Sequence, residues 1–342
     1  MMRGALGFLA LLAGLIASPA SARPLFEESA PIEVTIRAPL KEYRTGSKAS
    51  NEAFPATIEA GGLSHAITLG RRGKSRQQDD ICDFVPLRVR FTQAPADGSI
   101  FHKQKSLKLV SHCRSGAKFQ QHLLREYSAY RLYNVLTDRS LKVRLARINY
   151  HDGNDAKPDI TSYGFFIEDI DDAAKRLDMK EIDVSGVRRD ALSPSDSARY
   201  ALFQYMIGNT DWSTRYGPEG EYCCHNSKLI GATKETRTGL IPVPYDFDMS
   251  GWVDAPYAVP NDSLPIRNVR QRLYRGYCVW NGELPAMLAA FRSQRAALEA
   301  EIEGVPGMDE KTKRALLSYL IGYFEDLATP DGLEKELVKD CR

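Results

Sequence analysis

The sequence predicts an α+β fold in two lobes: an antiparallel sheet with one helix over residues 23–168, then a mainly helical lobe over 169–342. Three observations carry this. Short runs of alternating apolar and polar residues crowd the first half, whereas long stretches with apolar residues at helical spacing crowd the second. Turn residues such as Gly61-Gly62 separate the early runs at hairpin distances.

The chain opens with MMRGALGFLALLAGLIASPASA. Arg3, the apolar stretch Ala5 to Ala17, and the small residues Ala20-Ser21-Ala22 predict a signal peptide over 1–22, too short to span a bilayer. No later stretch approaches the roughly 20 apolar residues that a membrane span needs. An exported, periplasmic or secreted protein without a membrane span is expected. Its 6 cysteines then favour disulfides, for which we expect Cys82 with Cys113, and Cys223 or Cys224 with Cys278. A net charge of +2 argues against nucleic acid as a partner.

The sheet lobe begins with Ile32–Ile36. A polar loop over Leu40–Ala53 leads to two strands, Ala56–Ala60 and His65–Leu69, joined by Gly61-Gly62. Gly73-Lys74-Ser75 has the end of a phosphate loop, but Thr68 stands where that motif needs its first Gly. A basic, glycine-containing loop between strands can still cover phosphates. In the strand ending Leu87-Arg88-Val89-Arg90-Phe91 the two arginines face away from the apolar side, and Lys108 alternates with Leu107 and Leu109 in the next strand. Residues 117–136 turn helical, with Phe119, Leu123, Tyr127 and Tyr130 on one face and Glu126 among them. Val143–Tyr150 and Tyr163–Glu168 complete the lobe. Asp152-Gly153-Asn154-Asp155 opens like a calcium loop, but Tyr163 occupies the position of the required Glu.

In the second lobe, Ser193 is a candidate N-cap with Pro194 at the first helical position, and Ala198, Ala201, Leu202, Tyr205 and Met206 keep helical spacing up to Gly208. Asp211 follows on a loop. Asn226 precedes the apolar run Ser227–Ile230, and Asp246 follows Leu240–Pro244. A hairpin across Thr238-Gly239 puts Asn226 and Asp246 at one end of a small sheet. An Asp followed by an Asn and a later Asp is the set that phosphoryl transfer of the protein-kinase type uses. The first orients the attacking hydroxyl, and the other two hold the metal ions that bridge the phosphates. The rival reading makes all three ordinary turn residues. Amphipathic helices over Leu284–Ile302 and Thr312–Leu327 supply core.

Gly208-Asn209-Thr210-Asp211-Trp212, His225-Asn226 and Pro244-Tyr245-Asp246-Phe247-Asp248-Met249-Ser250-Gly251 together resemble the spore-coat CotH-type kinases, with their G-N-x-D, H-N and W-D-x-D-x-x-x-G segments. Tyr245 replaces that family's Trp, and the stretch Tyr216–Cys224 is extra. Arg72-Gly73-Lys74-Ser75 resembles its R-G-N-[ST] segment. The resemblance implies an atypical secretory kinase with a bilobed protein-kinase-like fold, ATP with Mg²⁺ or Mn²⁺ as cofactors, and a protein hydroxyl as acceptor. Asp211 would be the catalytic Asp, and Asn226 and Asp246 the metal ligands. Arg88, Arg90 or Lys108 would hold phosphates, with Glu126 as the pairing carboxylate, and Gly73 and Lys74 would lie over the nucleotide. A non-catalytic binding protein and a metal-dependent phosphohydrolase are the alternatives. Cys223-Cys224-His225 lacks the spacing of a zinc site, and no G-x-S-x-G nucleophile turn occurs.

Overall fold

The computed structural model describes residues 25–45, 52–73, 75–78, 80–153, 158–339 and 341–342. The expected signal peptide and Lys74 lie outside the described residues.

Seven strands close on themselves: β1 (Ile32–Ala38), β2 (Ala53–Ala60), β3 (Leu63–Arg71), β4 (Leu87–Phe91), β5 (Ser106–Val110), β6 (Val143–Asp152) and β7 (Ile160–Ile167), in the spatial order β1-β2-β3-β4-β5-β7-β6. Every neighbouring pair is antiparallel except the last. β1 runs parallel to β6, with Ile32 opposite Ala146 and Ala38 opposite Asp152. This pairing overturns the expected open antiparallel sheet, because it satisfies both edges and makes a mixed barrel. Period-two alternation then sorts the side chains. Ile36, Ile58, Ile67, Leu69, Val89, Leu107, Leu109, Ile148, Tyr150 and Phe166 share one buried core. At Gly61 and Gly62, both left-handed at φ 59° and 78°, the β2–β3 hairpin turns as its dipeptide predicts.

The outward residues of β5–β7 meet α2 (Ala117–Leu136), whose boundaries match the expected helix. Leu123, Tyr127 and Tyr130 of α2 pack with Val110, Val143, Leu145, Phe165 and Ile167. The same core continues without a break into Phe203, Phe247 and Trp252. The tilted ring pairs Tyr130–Phe247 and Tyr133–Phe203 each have centroids 4.6 Å apart. A bilobed kinase-like arrangement is therefore not what forms. The barrel, a small sheet and a set of helices are joined by the apolar surface of α2.

The expected loop at Leu40–Ala53 contains a short helix instead, α1 (Leu40–Thr45), because Leu40 and Tyr43 bury one turn apart. α3 (Ile170–Arg176) is capped by Asp169, whose side chain accepts from the Asp171 N–H. The small sheet has the order β10 (Ile241–Pro244), β9 (Ser227–Gly231), β8 (Lys180–Glu181), and α4 (Pro194–Met206) packs on it. The single helix expected over Leu284–Ile302 is two, α5 (Leu284–Ser293) and α6 (Arg295–Glu303). They meet at Gln294, whose backbone leaves helical geometry at ψ 0°. α7 (Glu310–Asp326) and α8 (Pro330–Leu333) follow, and α8 runs on into a π-helical turn at Glu334–Val338. No helix among the described residues is long and apolar enough to cross a membrane.

Cys82 pairs with Cys113 as expected. The other expected pairing is corrected: Cys223 bonds to its neighbour Cys224, and Cys278 bonds to Cys341. These bonds fit an exported protein.

Candidate functional site

The loop after α4 is fixed from several sides. Gly208 turns the chain at φ 62°, and a Cβ there would come within 2.2 Å of the Tyr319 hydroxyl. The N–H groups of Gly251 and Trp252 donate to the carbonyls of Gly208 and Ile207 at 3.0 and 2.9 Å. They strap the segment after Asp246 to the end of α4. Asn209 Oδ1 accepts from the Asp211 N–H at 3.0 Å, and Trp212 Nε1 donates to the Asn209 carbonyl at 3.0 Å. The Arg275 guanidinium donates to the carbonyls of Thr210 and Trp212 and lies over the Trp212 ring. Asp211 is thus aimed by a rigid turn, with its side chain 40 % exposed.

The β9–β10 hairpin brings the other two acceptors to the same place. Pro244 opposes Ser227, and the Tyr245 N–H donates to the Asn226 carbonyl at 3.2 Å. Asn226 Nδ2 donates to the Asp211 carbonyl at 2.8 Å and to Asp211 Oδ2 at 3.0 Å. His225 Nε2 lies 2.7 Å from Asp211 Oδ1. Asn226 and Asp246 both adopt left-handed backbone, at φ 50° and 61°. Asn and Asp tolerate that region best among residues with a Cβ, yet it still costs about 1 kcal/mol. Such strain persists where the surroundings over-determine it, as at functional sites. The Asp246 N–H donates to the Tyr130 hydroxyl at 2.9 Å, which ties this turn to α2.

Sequence reasoning pairs Glu126 with Arg88, Arg90 or Lys108; the structure pairs it with Arg76. This arginine sits on the short turn after Gly73, with its side chain only 8 % exposed. Arg76 Nη2 donates to Glu126 Oε2 at 2.8 Å, Nε donates to Asp248 Oδ2 at 2.7 Å, and Nη2 lies 3.7 Å from Asp246 Oδ1. The Tyr257 hydroxyl adds a bond to Asp248 Oδ2 at 3.1 Å. One cation thus faces three carboxylates, and the charge imbalance has consequences. Burial, reinforced by Asp248 and Asp246 against the opposing pull of Arg76, pushes Glu126 up to about 7. Asp246 keeps 41 % of its side-chain surface open, yet it is closely surrounded by Asp248, Arg76 and Arg72. Loss of hydration and the nearby Asp248 push it up to about 6. Arg76 and Asp248 were not legible as site residues. The only sequence signal for them is a basic residue three positions past Gly73, and a second Asp two positions after the first.

On the barrel side of the cleft, Arg88 of β4 and Lys108 of β5 are register partners, and both point outward. Arg72 lies close enough to act on both Lys108 and Asp246. The side chains of Arg72, Arg88 and Lys108 form no ion pair within 4.0 Å among the described residues. Lys108 stands 5.8 Å over the Tyr245 ring, and its principal carboxylate influence is Asp169. Burial, with Arg72 and Arg88 nearby, brings Lys108 down to about 8; burial, with Arg72 and Arg90 nearby, lowers Arg88. Arg90 is exposed, one position further along the strand face, with an Nη1 near Gly70. Gly73 is left-handed at φ 87°, on the loop between Arg72 and Arg76. The structure therefore joins Asn226 to Asp211 and, through Arg76, Glu126 to Asp246, while Lys108 reaches this group over the Tyr245 ring with Arg88 as its strand neighbour, and Arg90 stands apart.

No group of three or more His, Cys, Asp and Glu among the described residues forms a ready-made metal cage. The donors at hand are the Asp246 carboxylate and the Asn226 side-chain oxygen, whose amide nitrogen is already committed to Asp211. Such a sparse oxygen set suits Mg²⁺ or Mn²⁺, which take one or two protein oxygens and complete their shell with phosphate and water. No family model matches the chain, and no curated protein matches it.

Proposed function

We propose that this chain transfers a phosphoryl group from a nucleoside triphosphate to a hydroxyl acceptor with the help of a divalent metal ion, as the resemblance to CotH-type kinases implies. One observation supports this above the rest. Three half-buried cations that form no ion pair within 4.0 Å among the described residues, Arg72, Arg88 and Lys108, lie on the barrel side of the oxygen-bearing set Asp211, Asn226 and Asp246. Unpaired cations in a partly desolvated cleft favour an anion, and the facing oxygen donors favour a cation, so together they suit a metal-bound polyphosphate.

In this reading Asn226 and Asp246 hold Mg²⁺ or Mn²⁺, which neutralises the phosphate charge. Arg88 and Lys108 contact phosphate oxygens, and the left-handed turn at Gly73 covers them. Asp211 orients the acceptor hydroxyl and takes its proton. Its two carboxylate oxygens are held by His225 and Asn226, so it is positioned before substrate arrives. Arg76 touches no phosphate here. It positions Asp246 by tying the 246–248 turn to Glu126 of α2.

The test is transfer of label from γ-labelled ATP, with Mn²⁺ or Mg²⁺, to the protein itself or to a mixture of exported proteins. Label incorporation that is lost with Asp211→Ala and with chelation supports the reading. Incorporation indifferent to both, or free phosphate released from a simple ester without nucleotide, refutes it.

A further inference from the structure

Asp211 also borders a second space. A cavity of about 570 Å³ is lined by Asp211 and His225 but by none of Asn226, Asp246, Arg88 and Lys108. Asp211, 40 % exposed, is therefore the wall that it shares with the metal and phosphate groups. Part of the lining is apolar: Met249, Val259, Pro260 and Leu264, with Val259 left 68 % exposed. An apolar wall with a few polar groups is the usual make-up of a ligand pocket.

The polar part is cationic. Arg275 and Arg342 both line the cavity, and Asp211 is its one carboxylate side chain. Neither arginine forms an ion pair within 4.0 Å among the described residues. Arg275 is fixed, because its Nη1 donates to the carbonyls of Thr210 and Trp212. Its Nε is buried, whereas its Nη2 keeps accessible surface and makes no hydrogen bond among the described residues. Arg342 is held as well. The Cys278–Cys341 disulfide anchors the residue before it. Its N–H donates to the Gly276 carbonyl at 2.9 Å, and its carbonyl accepts from the Cys278 N–H at 3.0 Å. Burial and the charge of Arg342 bring Arg275 down to about 10, against the pull of Tyr200, Tyr277 and Asp211. Two like charges are thus kept within reach of each other, a cost that a bound anion would relieve.

We propose that this cavity receives the acceptor, and that the acceptor is an acidic peptide. Its hydroxyl would lie at Asp211, a neighbouring carboxylate at Arg275 and Arg342, and an apolar side chain against Val259 and Leu264. This rests on the reading of Asp211 as the residue that orients the acceptor hydroxyl. In transfer the hydroxyl oxygen bonds the γ-phosphorus, and the bond from that phosphorus to the β–γ bridging oxygen breaks. The hydroxyl proton passes to Asp211, and the nucleoside diphosphate leaves.

Binding and transfer are measured separately on the full chain. Short fluorescein-labelled peptides with one central serine, identical except for flanking Glu, Gln or Lys, are titrated by fluorescence anisotropy at low salt. The Glu peptide is expected to bind about tenfold more tightly than the Gln peptide, and the Lys peptide most weakly. Arg342→Gln should reduce that preference about fivefold, the upper worth of an exposed charge pair, and Arg342→Glu should abolish it. Arg342 is exposed, so the fold should survive, as melting curves will verify. Lys234→Gln removes an exposed charge on the β9–β10 connection and should leave the preference intact, which separates the site from net charge. A non-hydrolysable ATP analogue with Mn²⁺ should not displace the peptide. No preference for Glu over Gln, a preference that survives Arg342→Glu, or displacement by the analogue overturns the proposal. Label transfer from γ-labelled ATP to the Glu and Gln peptides alike would then still uphold the kinase reading. Charge-selective binding without any transfer would sink that reading and leave the acidic-peptide site standing.

Discussion

Asn226 grips Asp211 twice, with its side-chain nitrogen 2.8 Å from the backbone carbonyl and 3.0 Å from Oδ2. The two residues come from different elements, yet neither can be placed without the other. Asn226→Gly relieves the left-handed backbone, whereas Asn226→Ala does not. Both lose the two hydrogen bonds. Urea unfolding should therefore find the Ala variant less stable than the Gly variant by about 1 kcal/mol. Both should lose at least about a hundredfold in transfer rate, since a catalytic group displaced by 1 Å costs that much.

Acidity in the cleft predicts a bell-shaped pH profile. Asp246, pushed up to about 6, must be ionised to bind the metal; Lys108, brought down to about 8, must be protonated to bind phosphate. The profile of kcat/KM, which reports the free enzyme, should rise through about pH 6 and fall above about pH 8. Lys108→Arg should remove the alkaline fall, because Arg keeps its proton there. An alkaline limb that survives this substitution would remove Lys108 from the phosphate site.

Stability should follow the same groups with a definite sign. Glu126 moves from an ordinary 4.5 to about 7 on folding, and Asp246 from 3.8 to about 6. Between those values the folded chain holds protons that the unfolded chain has released. Its stability therefore falls as pH rises from about 4 to 7. Glu126→Gln should flatten that slope, as read from melting temperatures at stepped pH.

Arg76 carries the largest expected single-residue effect. Arg76→Ala leaves Glu126 and Asp248 buried and uncompensated, with side chains 4 % and 5 % exposed. Removing one member of a buried ion pair typically costs 3–5 kcal/mol, about what we expect here. The loss should be smaller at pH 5 than at pH 8, because protonation relieves the repulsion. Denaturant titrations at both pH values test this.

Local pattern made much of the fold legible. Leu123, Tyr127 and Tyr130 marked α2, and Gly61-Gly62 marked its hairpin. The hairpin after Asn226 correctly put Asn226 and Asp246 at one end. Barrel closure was not legible, because the parallel match of Ile32–Ala38 to Ala146–Asp152 joins segments far apart in sequence, and each strand's alternation is equally compatible with an edge position. Arg76 escaped for a related reason. A basic residue in a polar loop reads as solvated until tertiary structure turns it onto Glu126. Adjacent Cys223 and Cys224 read as partners for distant cysteines, whereas they pair with each other, and Cys341 takes Cys278.

Free Mn²⁺ can be followed by its electron paramagnetic resonance signal, with and without a non-hydrolysable ATP analogue. Wild-type protein should remove the free signal only when the analogue is present. Asp246→Ala should lose that effect, and Asp211→Ala should keep it while abolishing transfer from ATP. Equal uptake of Mn²⁺ and analogue by wild type and Asp246→Ala would contradict a shared metal–nucleotide site in this cleft.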